Sequence, residues 1–389
     1  YIERFVMKKN KLGKQTTNLM MAIPNHDDFS RELFVQEFIW KINTEYVNKF
    51  KNLFPNGKVS KNSVNLIDVS NQRKALLDNS SGKIWSSLRR IGREWTCEAV
   101  GPTVEKQLPD LINRSQSLIT KKNKLGSIKL NNNMEIPRYI NVDIHLKPGG
   151  YFAELCKDDI FAGAEYERTT YLNVNGLFGP KMESLGEVVS NWVKIKNKFY
   201  KPKRILEIGC AIGQSTLAWA KAFPDAKVYG IDLSAPMLRY AHSRAESFAI
   251  EVHFSQQNAE KTNFKNNFFD LVVSHATLHE TSLKALQNIF KECYRILKND
   301  GMMIHNEGKP FRDLKPVDRI IPDWDTHFNA EPFISKMRSI DLADLAHKSG
   351  WPKSSTFNDY ADELVNKDFK EINDNLNAHY ILVGKKKLT

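Results

Sequence analysis

Hydrophobic positions follow two different rhythms along this chain, and the change falls near residue 180. Upstream, apolar side chains recur at helical spacing: Phe34, Phe38 and Ile42, then Trp85, Leu88 and Ile91. That period buries one stripe of a helix. It predicts helices over 30–56 and 83–118, separated by a turn at Asn56-Gly57 and the polar stretch 58–63. Residues 121–136, rich in Lys, Asn and Ser, read as a linker. Beyond it, Arg138 to Leu146 has strand character and Lys147-Pro148-Gly149-Gly150 reads as a turn. Tyr151, Tyr166 and Tyr171 mark an aromatic-rich piece that follows.

Downstream the pattern becomes a regular strand–helix alternation. A helix at 182–198 leads in, and strands are predicted at 203–208, 226–231, 250–256, 269–274 and 301–306. Helices fall between them at 212–223, 234–248 and 283–297. A helix near 335–349 precedes two late strands, 354–359 and 378–385. Alternating β and α elements imply a parallel sheet covered on both faces. The last strand follows another with no obvious helix between, so it is expected to insert antiparallel. The expectation is an α/β fold with a seven-stranded sheet, mostly parallel with the last strand antiparallel, and an added, mainly helical N-terminal region. Three segments result: 1–135 mainly helical, 136–180 a capping or lid segment, and 181–389 the sheet domain.

Composition narrows the classes. In 389 residues, 41% hydrophobic and 26% charged content is ordinary for a globular protein. No apolar run approaches the roughly 20 residues that span a bilayer. The first residues, YIERFVMKKNK, have their basic and apolar positions in the wrong order for a secretory signal. Cys97, Cys156, Cys210 and Cys293 are scattered, with no CxxC pair, as expected of a reduced cytoplasmic protein. The net charge of +12 admits nucleic acid, an anionic membrane or an acidic substrate. The lysine runs 121–124 and 385–387 have no interleaved aromatics, however, and read as solvated surface.

The chemistry concentrates after residue 203. Arg204 to Ser215 reads as a buried strand, a glycine-containing turn and a helix start. Gly209 lets the backbone turn sharply and a ligand approach closely, and Gly213 opens the helix with free N–H groups. Ala211 occupies the second glycine of a dinucleotide fingerprint, so a pyrophosphate is disfavoured. The next strand ends in Asp232, placed to accept hydrogen bonds from two ribose hydroxyls. A plain capping acid is the alternative. Ser234 and Pro236 follow as a helix start.

Four segments, ILEIGCAIGQST, VYGIDLSAPML, QNAEKTNFKNNFFDLVVSHATLHE and ECYRILKNDGMMIHNE, resemble in order and spacing the motifs of class I S-adenosylmethionine-dependent methyltransferases. The nearest flavour is the small-molecule group that includes ubiquinone-type enzymes. The resemblance covers about residues 200–310 and implies a Rossmann-like sheet with S-adenosyl-L-methionine as cofactor. It implies that Glu207, Gly209, Cys210 and Gly213 surround the amino-acid part, and that Asp232 holds the ribose. Leu233 and Met237 would line the adenine pocket, with Asn258 in place of the family's usual Asp beside the adenine amino group, followed by Ala259 and Glu260. Ser274 and His275 would lie near the methyl group.

His275 and His279, with Glu280 adjacent, are the candidate catalytic groups, His275 first as base or acceptor-orienting residue. Glu307 and His305, at the end of the fifth strand, are expected to face the same cleft, and Tyr151, Tyr166 and Tyr171 to form the substrate lid. A metal site is the alternative reading, since His and Glu at these spacings could ligate one, but no zinc-type motif is complete and no metal is expected. The Ser274-His275-Ala276-Thr277 stretch lacks the Asn/Asp-Pro-Pro-aromatic tetrad of base-amino methylation, and no Cys beside a Pro offers cytosine chemistry. A small-molecule acceptor is therefore expected and nucleic acid disfavoured, with a protein or RNA substrate or a silent cofactor-binding module as alternatives. A homodimer is left open.

Overall fold

Strand segments in the second half are almost continuously apolar, as suits strands covered on both faces. Arg204–Ile208 (β2) is buried from Ile205 onward, and Phe269–His275 (β5) is buried at every position but Asp270. The computed structural model describes residues 15–49, 68–361 and 379–387. The expected turn at 56–63 and the first fourteen residues lie outside them.

Among the described residues the sheet has eight strands, one more than the pattern suggested, in the order β1-β4-β3-β2-β5-β6-β8-β7. Its other members are β1 (Ser127–Lys129), β3 (Lys227–Asp232), β4 (His253–Gln256), β6 (Leu297–Glu307), β7 (Thr356–Tyr360) and β8 (Tyr380–Lys385). Pairing is parallel from β1 through β6, and β8 inserts antiparallel between β6 and β7, as expected. The additional strand β1 comes from the segment read as a linker. Three residues are too few to show a period. The strand exists because its backbone pairs with β4 and because the carboxylate of Glu246 accepts from the N–H groups of Leu125 and Gly126, both at 2.8 Å. The lysine runs 121–124 and 385–387 are solvated as expected except at Lys386, which is 9% exposed and whose Nζ donates to Asn267 Oδ1 and to the carbonyls of Tyr294 and Leu297.

The helical layer is built from His26–Thr44 (α1), Val69–Asp78 (α2) and Ser80–Thr120 (α3). Asn25 and Asn79 cap α1 and α3, each accepting from a first-turn N–H. Next come Phe161–Asn173 (α4) and Ser184–Lys196 (α5), then the sheet helices Gln214–Ala222 (α6), Ala235–Ser247 (α7) and Leu283–Ile296 (α8). The late helix expected at 335–349 is two short pieces, Ile334–Arg338 (α10) and Leu342–Lys348 (α11), with Asp341 capping the second. Before them lies an unanticipated helix, Ile320–Phe328 (α9). No helix of the described residues is long and apolar enough to cross a membrane.

The stretch Arg138–Leu146 is not a strand. It forms two single turns, 138–140 and 144–146, with His145 at φ 57° and Leu146 at φ 59°. Left-handed residues cannot continue a β-strand. The segment 136–180 is also not uniform, since α4 is part of the core. Val100, Val104, Leu108 and Leu111 of α3 pack with Ala164 and Leu172 of α4 and with Met237 and Tyr240 of α7. Gly163 makes this close approach feasible, because a Cβ there would stand 2.4 Å from that of Tyr240. Glu167 ties the layers further, accepting from Arg244 Nε at 3.0 Å, from Asn18 at 3.1 Å and from the Tyr240 hydroxyl.

Candidate active site

The carboxyl ends of β2, β3 and β5 open into a cavity of about 330 Å³. Such a location is where open α/β sheets bind ligands. The turn after β2 carries positive φ at Gly209 (62°), Ala211 (46°) and Gly213 (73°). This sharp path exposes backbone to the cavity. A Cβ at Gly209 would lie 2.2 Å from Thr277 Cγ2, so glycine is required there. Gly213 instead caps α6 and packs against Phe254.

Asp232 ends β3 and is locked by two backbone donors, Ala211 N–H and Ser234 N–H, each at 2.9 Å. Burial raises its pKa, against the lowering effect of those bonds. Glu207 is 2% exposed and accepts from the Thr216 hydroxyl. Burial pushes its carboxyl up to about 8, with Asp232 adding like-charge repulsion. Gly209, Cys210, Leu233, Met237, Asn258 and Ala259 line the same cavity. This set suits a ligand with an ammonium, a ribose diol and a flat base. Asn258 uses its Oδ1 to accept the Glu260 N–H at 2.8 Å. Glu260 itself lies outside the lining and takes bonds from the Tyr139 hydroxyl and Asn288. Ser274 is likewise absent from the lining, fully buried and paired with His305 Nδ1 at 2.8 Å.

The two histidines have opposite surroundings. His275 is 7% exposed, and its Nε2 accepts from the indole N–H of Trp219 at 2.9 Å. Burial, with His305 and His379 nearby, pushes its pKa down to about 3. His279 instead donates from Nδ1 to Glu307 at 2.7 Å and has Glu280 3.8 Å from Nε2. Burial opposes its charge, but Glu307, Glu280 and Glu331 outweigh that and bring it up to about 9. Glu307 does not line the cavity; it is 2% exposed and accepts also from Thr277 and Leu278 N–H at 2.9 and 2.6 Å. It therefore fixes the short turn 278–280 that carries His279 and Glu280.

Tyr151 and Tyr166 line the cavity, their rings 5.8 Å apart edge to face, whereas Tyr171 packs in the helical core outside it. His145, hidden in the supposed strand, faces the cavity with its two nitrogens on two carboxylates: Nδ1 is 3.0 Å from Glu331 and Nε2 3.6 Å from Glu280. These three residues can place one ligand atom each within 4.8 Å of one another. Each ring nitrogen of His145 has its own carboxylate, and the charges of Glu331 and Glu280 raise its pKa against the opposing effect of burial. Arg93 and Lys147 also reach the cavity. No local motif announced any of these residues; the periodicity of α3 and a turn-like HLKPGG were the available signals.

Residues 205–301 match the family described as "Methyltransferase domain". The chain is similar to phosphoethanolamine N-methyltransferase 1 of Arabidopsis thaliana, 29% identical over 142 residues, covering 36% of this chain and 28% of the relative. It is similar to demethylmenaquinone methyltransferase of Thermus thermophilus, 30% identical over 109 residues, covering 28% and 49%. Among solved structures, phosphoethanolamine N-methyltransferase 2 of Haemonchus contortus with S-adenosyl-L-methionine aligns with TM-score 0.40 and 16% identity, over 58% of this chain and 60% of that one. The chain thus spans half or less of the length of these curated relatives. Residues 205–301, which carry the strands and turns of the cavity, are thus similar to methyltransferase domains.

Proposed function

We propose that this chain transfers the methyl group of S-adenosylmethionine to a small-molecule acceptor, with His279 rather than His275 taking the acceptor's proton. The relatives' names include a phosphoethanolamine and a demethylmenaquinone enzyme, which supports a small acceptor without choosing one. The observation that carries the reading is that His279, held from behind by Glu307, and Asp232 line one cavity.

Asp232 would hold the ribose diol, Glu207 the amino-acid end, and Leu233 and Met237 the flat base. When bound, the cofactor supplies a methyl carbon already activated by a sulfonium. This chain's residues then align the acceptor and remove its proton, the first a gain from proximity and orientation. With Nδ1–H committed to Glu307, His279 presents Nε2 to the cavity as the proton acceptor. A pKa near 9 keeps it protonated at neutral pH in the empty site. Cationic charge entering the cavity lowers that affinity, so proton acceptance follows loading. Tyr151 and Tyr166, with the 137–160 segment, close the cavity against water.

The test is calorimetry with S-adenosylhomocysteine and NAD. The parent should bind the first and not the second, and Asp232→Ala should weaken binding by about 1–3 kcal/mol, the cost of unpaired polar groups. Equal affinity in parent and variant would remove Asp232 from the ribose site.

A further inference from the structure

A second cavity, of about 320 Å³, lies between the helical layer and the methyltransferase domain. Three guanidinium groups, from Arg89, Arg93 and Arg338, stand in its wall. The Nε of each is buried without a hydrogen-bond partner among the described residues. Arg89 is otherwise committed, with Nη2 on Asp325 at 2.9 Å, Nη1 on Asn43 and the plane 4.7 Å over Trp324. Arg338 donates from Nη1 to the Lys309 carbonyl at 3.2 Å. Neither Arg93 nor Arg338 has a carboxylate of the described residues within ion-pair distance, and of the two only Arg93, half-buried with its Nε inaccessible, also lines the first cavity; Asp325 and Glu331 act on it only from farther away.

A cation partly withdrawn from water with no paired anion is costly in proportion to its burial. A guanidinium fork matches carboxylate and phosphate, which it binds through paired, charge-assisted hydrogen bonds. Arg93, Asn173 and Val174 line both cavities, so Arg93 stands in the wall that the second cavity shares with the site of His279. We infer that the methyl acceptor carries an anionic group, a carboxylate or a phosphate, that Arg93 binds with Arg89 and Arg338 behind it, while its nucleophile lies at His279. This inference rests on the methyltransferase reading for the word acceptor, but the anion site itself is measurable without turnover.

The probes are inorganic phosphate and malonate, titrated by calorimetry into protein saturated with S-adenosylhomocysteine. At least one should bind with one-to-one stoichiometry. Arg93→Met should weaken it about 10- to 100-fold, the range of a lost charged hydrogen bond. Arg93→Lys, which keeps the charge and protects the fold, should weaken it less. Which probe binds tells phosphate from carboxylate. Binding of neither probe to the parent, or equal binding by Arg93→Met, overturns the anion site. The S-adenosylhomocysteine titration of the same samples reports separately on the cofactor reading.

Discussion

The indole N–H of Trp219 donates to Nε2 of His275 across 2.9 Å, while four residues later Nδ1 of His279 donates to Glu307 across 2.7 Å. One histidine has its nitrogen lone pair occupied by a neutral donor in a buried place. The other has its proton-bearing nitrogen held by a carboxylate and its second nitrogen toward the cavity.

That contrast gives the first prediction. Glu307→Gln should drop the His279 pKa from about 9 toward its ordinary value, because the carboxylate charge and its hydrogen bond are what raise it. Imidazole NMR titration reads this directly. Once an acceptor is in hand, His279→Ala should lower turnover about 10²–10⁴-fold, and His275→Phe far less. The reverse order would return the base role to His275.

Glu207 should make the apo protein sensitive to alkali. Its folded pKa of about 8 exceeds its ordinary value of 4.5, so the folded state holds its proton longer than the unfolded chain. Stability is therefore lost as pH rises from 4.5 to 8 and stays lost above. Glu207→Gln should remove this slope and stabilise the apo protein at pH 8 by on the order of 1–3 kcal/mol, while weakening cofactor binding. Denaturant melts of parent and variant at pH 5 and pH 8 decide it; parallel losses would refute the assignment.

Gly163→Ala should separate the helical layer from the sheet domain. The new Cβ would meet Tyr240 Cβ at 2.4 Å, and neither helix backbone can yield freely. Overpacking of this kind costs about 1–3 kcal/mol. A lowered denaturation midpoint together with weaker S-adenosylhomocysteine binding is expected, because Met237 of the cavity wall belongs to the same core.

Residues 137–160 should exchange amide hydrogens more slowly once the cofactor product is bound, and α4 should not change. The first segment holds the cavity through Tyr151, whose carbonyl accepts from Ser234 at 2.5 Å, and through the His145 bridge. Helix α4 is already core. Hydrogen-exchange mass spectrometry at saturation checks both halves, and unchanged exchange at 137–160 would remove the lid.

The sequence by itself determined the sheet domain and the turn and strand-end acid that line its cavity. Apolar runs such as Ile205-Leu206 and Val272-Val273, the turn at Gly209 and the acid at Asp232 are local signals, since a strand, a tight turn and a strand-end carboxylate each need only neighbours along the chain. The three-residue strand β1 was too short for any period, and left-handed His145 contradicted the propensity of its neighbours. Only the tertiary structure decided which histidine is which, because Trp219, Glu307 and Glu331 reach them from positions 28 to 186 residues distant in the chain. It alone brought Arg93 of the helical layer to the cavity wall. A pKa is set by burial and by charges in space, and those quantities do not exist until separate segments pack together.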